Sequence, residues 1–451
     1  MTNLGVYLRR NVFEPAYCLL SRSPKLRYWR ELEKTQYLPE EKLREIQWQR
    51  VGELIRFVYQ NNEFYRKRLE KAGVSPKDIQ SPEDLRRLPL LTKAEIRANT
   101  PAMISKGFRM ETLQKAKTGG STGKALEIYF TEECSELRNA CARRHDRWTG
   151  WEPGEPIAAC WGNPHLPKTV KDKIKQRLLQ PMIYLDTMSV NEGSVRVFVR
   201  EWRKVKPTLL FGHAHSIFVL AQCLTDLGIN VVRPKGILST SMMLLPSERK
   251  VIEAVFGVKV TDRYGCEEVS LIACECEKHE GMHLNIEHLF IEFLRDDGGE
   301  AKPGEAGQIV VTDLLNKAMP FIRYQVEDVG LPSDKTCSCG RGMPLMDKVI
   351  GRMADFLIKR DGTQIAGISL IENSLTKIPG IVQMQIVQEA IDSILLNVVP
   401  GEAFDSSKEE MLIKYFRKLF EMEAEVRVNY MKEIPADASG KYRFCKSLVA
   451  R

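Results

Sequence analysis

Between Pro156 and Val311 short apolar runs alternate with stretches of helical spacing, and this alternation limits the possible folds more than any other feature. Ile157-Ala158-Ala159-Cys160, Thr208-Leu209-Leu210-Phe211, Gly236-Ile237-Leu238-Ser239 and Val258-Lys259-Val260-Thr261 read as strands. Val195 to Val205 and Ser247 to Phe256, lying between them, read as helices. A strand–helix order of this kind predicts an α/β domain with a mostly parallel sheet. Ligands of such sheets bind beyond the carboxyl ends of the strands.

The flanking regions differ. Residues 1–100 read as a helical region packed on the main domain. Leu38-Pro39-Glu40-Glu41 and Ser81-Pro82-Glu83-Asp84 offer helix starts, and Ile46, Val51, Leu54, Ile55 and Val58 recur at helical spacing. The opening, with Tyr7, Arg9, Arg10, Phe13 and Tyr17, suits either a membrane surface or simple packing on the main domain, the simpler of the two. Residues 101–350 form the α/β core. After Gly351-Arg352 the pattern changes to a small α+β unit, residues 351–451. There Asp361-Gly362 signals a hairpin, Val382–Val387, Ile394–Val399 and Ala424–Val428 read as strands, and Ser407–Phe420 as a helix. A separate unit of this size can act as a mobile lid.

The 451 residues carry 67 Lys plus Arg against 59 Asp plus Glu, a net charge of +8. The excess is spread out, which suits anionic small molecules and argues against a nucleic-acid partner. No apolar run approaches the length of a spanning helix, and Met1 to Arg10 lacks a secretory pattern. Eleven cysteines, an odd number in a long chain, point to a reducing cytoplasm rather than a disulfide framework.

Several segments carry chemistry. Thr118-Gly119-Gly120-Ser121-Thr122-Gly123-Lys124 follows Lys117, and its glycines, hydroxyls and lysine suit a multiply charged phosphate. It leads into the strand-like Leu126–Phe130 and lacks the Walker spacing, so it is not a P-loop. Arg263-Tyr264-Gly265-Cys266-Glu267-Glu268 sets an aromatic face beside a glycine, with a carboxylate for Mg²⁺ just beyond. Asp328, within Pro320–Gly330, is suited to accept two ribose hydroxyls. Gly351-Arg352-Met353-Ala354-Asp355 and Ser439-Gly440-Lys441-Tyr442-Arg443 complete the series.

In order and spacing these motifs resemble the adenylate-forming superfamily, within it the phenylacetate–CoA ligase-like branch that includes capsular-polysaccharide relatives. The resemblance runs from about Val51 to Arg451. It implies a large N-terminal adenylate-forming domain and a small mobile C-terminal one. It implies that Thr118 to Lys124 cover the ATP phosphates, that Tyr264, with Gly265, stacks on adenine, and that Glu268 holds Mg²⁺. Asp328 would bind ribose, Arg352 would lie near ribose and phosphate, Asp355 would be the hinge, and Lys441 would bridge the carboxylate and the α-phosphate. Two positions depart from the pattern: Ala125 stands where relatives often have proline, and Val326-Glu327-Asp328 where threonine–glycine–aspartate is common.

Cys274-Glu275-Cys276 with His279 and His283, and Cys337-Ser338-Cys339, supply thiolates and imidazoles in two short knuckles that suit tetrahedral Zn²⁺. The expected ligands are Cys276, His283, Cys337 and Cys339, with Cys274 and His279 as substitutes; some relatives have a structural zinc here. His213 and His215 follow a strand, and either contacts a carboxylate substrate or packs structurally. The resemblance therefore implies an ATP- and Mg²⁺-dependent ligase that adenylates a small carboxylic acid and transfers the acyl group to CoA. An amine acceptor, a non-catalytic zinc-bearing scaffold and a homodimer stay open at this point.

Overall fold

The structure is a computed structural model that describes residues 4–117, 126–162, 167, 169–187, 190–352, 356–361, 364–420, 424–435 and 443–449. Its helices are α1 (Leu4–Leu8), α2 (Glu14–Leu20), α3 (Lys25–Thr35), α4 (Glu40–Asn61), α5 (Glu63–Lys71), α6 (Pro82–Leu85), α7 (Lys93–Asn99), α8 (Glu132–Trp148), α9 (Val170–Leu179), α10 (Glu192–Val205), α11 (Ala214–Asp226), α12 (Pro246–Phe256), α13 (Gly367–Lys377) and α14 (Ser406–Leu419). A π-helical turn, Arg9–Phe13, joins α1 to α2. Helix starts follow the sequence signals. Ser81 and Asp84, and likewise Thr92 and Glu95, form reciprocal capping boxes at α6 and α7.

A short antiparallel pair, β1 (Gln114–Lys117) with β2 (Glu127–Phe130), flanks positions 118–125. The main sheet has eleven strands: β3 (Ile157–Trp161), β4 (Met182–Asp186), β5 (Leu209–His213), β6 (Gly236–Thr240), β7 (Val260–Cys266), β8 (Ser270–Glu275), β9 (Met282–Leu284), β10 (Leu289–Leu294), β11 (Gly307–Asp313), β12 (Tyr324–Pro332) and β13 (Leu345–Arg352). Strands β4-β3-β5-β6-β7 are parallel, as the strand–helix alternation requires. From β7 onward the same sheet continues antiparallel through β8, β9, β13, β12, β11 and β10. Hairpins and short loops replace helices there, so no crossover is available to make the strands parallel.

One detail differs from the sequence reading. Arg263 to Cys266 lie inside β7 rather than after a strand ending at Thr261. Gly257 caps α12 with φ +76°, and the strand starts only at Val260. Its far end is prolonged because β8 pairs with it, Arg263 opposite Cys274 and Tyr264 opposite Ala273. A helix (α9) and an edge strand (β4) also occupy a stretch for which the sequence reading assigned no element.

Apolar burial divides the same way. One core joins the N-terminal helices to the antiparallel half: Val51, Leu54, Ile55 and Val58 meet Phe290, Ile309 and Tyr324. A second lies between the parallel strands and α10–α12. A third belongs to the C-terminal unit, where β14 (Phe356–Ile358) pairs with β15 (Gln364–Ala366), and β16 (Ile381–Ala390), β17 (Ser393–Pro400), β18 (Glu425–Tyr430) and β19 (Cys445–Ser447) form a sheet in the order β18-β17-β16-β19. Leu245, the residue before α12, is buried in this third core, with Met243 packed against it, so both contribute to the contact between the two parts.

Candidate active site and cysteine–histidine cluster

The parallel strands end together. Trp161, His213, Thr240 and Tyr264–Cys266 occupy the carboxyl ends of β3, β5, β6 and β7. Across from them β12 brings Asp328, and the Tyr264 hydroxyl donates to Asp328 Oδ2 at 2.7 Å. Two residues 64 positions apart are thus joined through the part of the sheet that turns antiparallel. The register sets Asp328 opposite Arg352 on β13, so the expected ribose aspartate and its companion arginine are cross-strand neighbours.

Glu268 lies in the turn between β7 and β8, 5% exposed. Tyr324 donates its hydroxyl to Glu268 Oε1 at 2.7 Å. Burial first, and then the Glu268 charge, push the Tyr324 phenol up, so it remains a donor. Arg138 of α8 donates to the Glu268 carbonyl at 3.0 Å and to Asp313 Oδ2 at 2.7 Å, which pins the turn from below. Cys266, beside this carboxylate, is pushed well up by burial and then by Glu268, so it stays a thiol and not a nucleophile. One carboxylate completed by phosphate oxygens and water is how Mg²⁺ is usually held, and Glu268 fits that part.

The departure at Glu327 has a structural counterpart. Its φ is +71°, in the left-handed region where glycine costs nothing and other residues are strained. Lys93 holds the side chain at 2.6 Å. The backbone thus keeps a glycine-like bend before Asp328 although the residue is glutamate.

The sequence-predicted phosphate loop Thr118, Gly119, Gly120, Ser121, Thr122, Gly123 and Lys124, the hinge Asp355 and Lys441 lie outside the described residues. Sequence reasoning missed Tyr324 and Arg138 as supports of Glu268. Tyr324 stands inside a quoted motif, but its partner is 56 positions away and no local pattern links them.

The cysteine–histidine cluster converges fully. The ligand atoms of Cys276, His283, Cys337 and Cys339 all lie within 4.8 Å of one another. Cys276 Sγ is 3.6 Å from Cys337 Sγ, and Cys339 Sγ is 3.4 Å from His283 Nε2. Tetrahedral Zn²⁺ with Zn–S bonds of about 2.3 Å places such atoms roughly 3.5–3.8 Å apart, so the donor set fits the metal. His283 Nδ1 faces the Met343 carbonyl at 3.2 Å, leaving Nε2 for the cluster. The backbone N–H groups of Lys278 and Arg341 donate to Cys276 and Cys339, each at 3.4 Å. Without metal, burial alone would lower the His283 imidazole, but hydrogen bonds and charge from Cys276 and Cys339 raise it to about 9. Burial likewise pushes Cys339 up, yet His283 and the Arg341 N–H bring it down to about 6. The substitutes Cys274 and His279 lie outside this group: Cys274 is buried on β8, and His279 faces Glu275 at 3.3 Å.

The cluster also ties down the N-terminal region. Arg341 donates to Gln36 Oε1 at 3.0 Å and stacks over Trp148 at 4.7 Å. A Cβ on Gly342 would sit 1.9 Å from the Leu38 carbonyl, so only glycine allows this approach.

His213 and His215 separate. His213 is buried against the Trp161 ring, 4.1 Å between centroids, at the strand ends. His215 faces Glu248 of α12 at 2.6 Å and Gln383 of β16 at 3.3 Å, so it sits where the C-terminal unit meets the large one.

Comparison with known proteins agrees with this architecture. The chain is 28% identical over 381 residues to the phenylacetate-coenzyme A ligase of Thermus thermophilus, covering 81% of this chain and 83% of the relative. It is thus similar in sequence to a phenylacetate–CoA ligase over most of its length. It is also 24% identical over 411 residues to Protein CapK of Staphylococcus aureus, covering 89% and 88%. Residues 357–447 match the CapK C-terminal domain family. The fold is that of an adenylate-forming ligase: 2-hydroxyisobutyryl-CoA ligase in its postadenylation state overlays with a TM-score of 0.74 at 20% identity, covering 93% and 92% of the two chains. The same enzyme in the thioesterification state overlays at 0.60. No helix among the described residues is long and apolar enough to cross a membrane.

Proposed function

We propose that this protein is an ATP-dependent carboxylic acid–CoA ligase. It would activate the acid as an acyl-adenylate, release pyrophosphate, and pass the acyl group to the CoA thiol. The observation that carries the reading is the wall made by Tyr264, Asp328 and Glu268: an aromatic face, a carboxylate that could accept ribose hydroxyls and one that could hold Mg²⁺, gathered where the end of β7 meets the middle of β12. The relatives and the fold support the same chemistry.

A carboxylate is a poor electrophile because its oxygen leaves badly. Attack on the α-phosphorus of ATP converts it into a mixed anhydride. Two anions must meet, so positive charge and fixed geometry supply most of the rate. Mg²⁺ at Glu268 would supply part of that charge. Lys441 would supply the rest as the carboxylate approaches, with Thr118 to Lys124 closing over the phosphates and Arg352 beside them. Rotation about Asp355 would then withdraw Lys441 and admit CoA. Zn²⁺ at Cys276, His283, Cys337 and Cys339 is assigned a structural part, since four protein donors leave no open position.

Pyrophosphate release with a panel of carboxylic acids tests the first half-reaction. CoA and a set of amines, each added to the acid that works, then test the acceptor. Release with no acid in the panel, by a folded and metal-loaded protein, would favour a non-catalytic role. Consumption of amine but not CoA would replace the acceptor.

A further inference from the structure

Helix α9 is built the wrong way round for a globular surface. Val170, Ile174 and Leu178 are 73%, 53% and 40% exposed, although they recur every fourth residue and form one apolar stripe. At about 100° per residue, Lys173 and Arg177 border that stripe on one side and Lys171 and Lys175 on the other. The half-buried face of the helix is the opposite one, with Gln176 and Leu179. The acidic residue of the helix, Asp172, is on that far side, where it caps the first turn with Thr169 at 2.7 Å.

The neighbouring surface continues the pattern. The Lys175 ammonium stands over the Tyr17 ring at 4.6 Å and donates to its hydroxyl at 2.7 Å, so α2 lies beside α9. Leu19 and Leu20, closing α2, are 80% and 85% exposed, and Arg22 follows.

From this arrangement we propose that α9, with the end of α2, is a docking surface for an anionic lipid bilayer. An apolar stripe between two rows of cations lies along a membrane plane, the stripe entering the acyl boundary and the lysines reaching up to the phosphates. Charge complementarity selects this occupant. A protein partner would need a counter-surface with an apolar ridge flanked by two acidic rows, whereas an anionic headgroup layer offers both at every orientation. The proposal concerns peripheral attachment and stands independently of the catalytic reading.

Co-sedimentation of the full chain with vesicles decides it, using phosphatidylcholine alone and phosphatidylcholine with phosphatidylglycerol. Binding is expected to the mixed vesicles and to weaken with salt. Ile174→Glu with Leu178→Glu should lower it about tenfold or more, and Lys171→Gln, Lys173→Gln and Arg177→Gln together by roughly fivefold per charge. All substituted side chains are exposed, so melting midpoints should match the parent. No binding to the mixed vesicles overturns the proposal, as does binding that both variants leave unchanged. A dimer in solution that dissociates on Ile174→Glu, without vesicle binding, would also overturn it and assign the stripe to a second copy.

Discussion

The cysteine–histidine cluster and the tyrosine–carboxylate wall occupy the same antiparallel half of the sheet, yet they are finished to different degrees. In the cluster every donor meets another donor of the set, and backbone N–H groups complete two of the sulfurs. In the wall the Glu268 carboxylate, 5% exposed, accepts from the Tyr324 hydroxyl, a neutral donor, and Asp328 accepts from the Tyr264 hydroxyl. A buried carboxylate held by neutral donors is costly unless a cation completes it. Four donors that close on one another suit the structural part proposed for the cluster; a buried carboxylate met by a neutral hydroxyl suits the cation-holding part proposed for Glu268.

Substitutions sharpen that contrast. Glu268→Gln keeps an oxygen for Tyr324 but removes the charge, so adenylation should fall by about 10²–10³-fold with the melting midpoint unchanged. Pyrophosphate release and thermal unfolding measure the two sides; an equal loss in both would erase the distinction. Lys441→Ala should lower adenylation by ~10²-fold while transfer from synthetic acyl-adenylate to CoA stays near normal. Equal loss in both half-reactions would remove Lys441 from the first one. Cys337→Ser with Cys339→Ser should abolish bound zinc and lower stability by about 3 kcal/mol or more, metal analysis and denaturant unfolding giving the readouts. Native protein prepared without chelator and lacking stoichiometric zinc would end that assignment. The smallest effect is expected at Glu327→Gly, which relieves the φ of +71° and loses a half-exposed pair with Lys93. Stability should rise by about 0.5–1 kcal/mol, and a fall would mean that the Lys93 contact outweighs the backbone strain.

What was legible in the sequence was what repeats or sits close together. The α/β alternation gave the parallel strands because each carries its own apolar run and turn signals. The convergence of Cys276, His283, Cys337 and Cys339 was legible because soft donors are rare and lie in two short knuckles, and the substitute Cys274 lies outside the group on β8. Tyr264, Glu268 and Asp328 stood out through the family resemblance. Their supports did not: Tyr324 and Arg138 reach Glu268 only through the folded sheet. The antiparallel half was hidden for a related reason, since strands such as β9, three residues long, carry no periodicity of their own. The apolar stripe of helix α9 was not legible, because exposure is a property of the whole fold.

Strand β13 connects these regions in a way that would give a zinc ion in the cluster a reach beyond its ligands. Its first residue, Leu345, pairs with the ligand His283, and its last, Arg352, pairs with Asp328 immediately before the chain enters the C-terminal unit. On the proposed reading it is a ruler about 23 Å long, clamped at one end by zinc and read at the other by the nucleotide. Slackening the clamp shifts the zero of that ruler. Partial zinc loading would then appear as a population of molecules that present the same residues to ATP at slightly different offsets, a heterogeneity in turnover rather than a uniform loss of it.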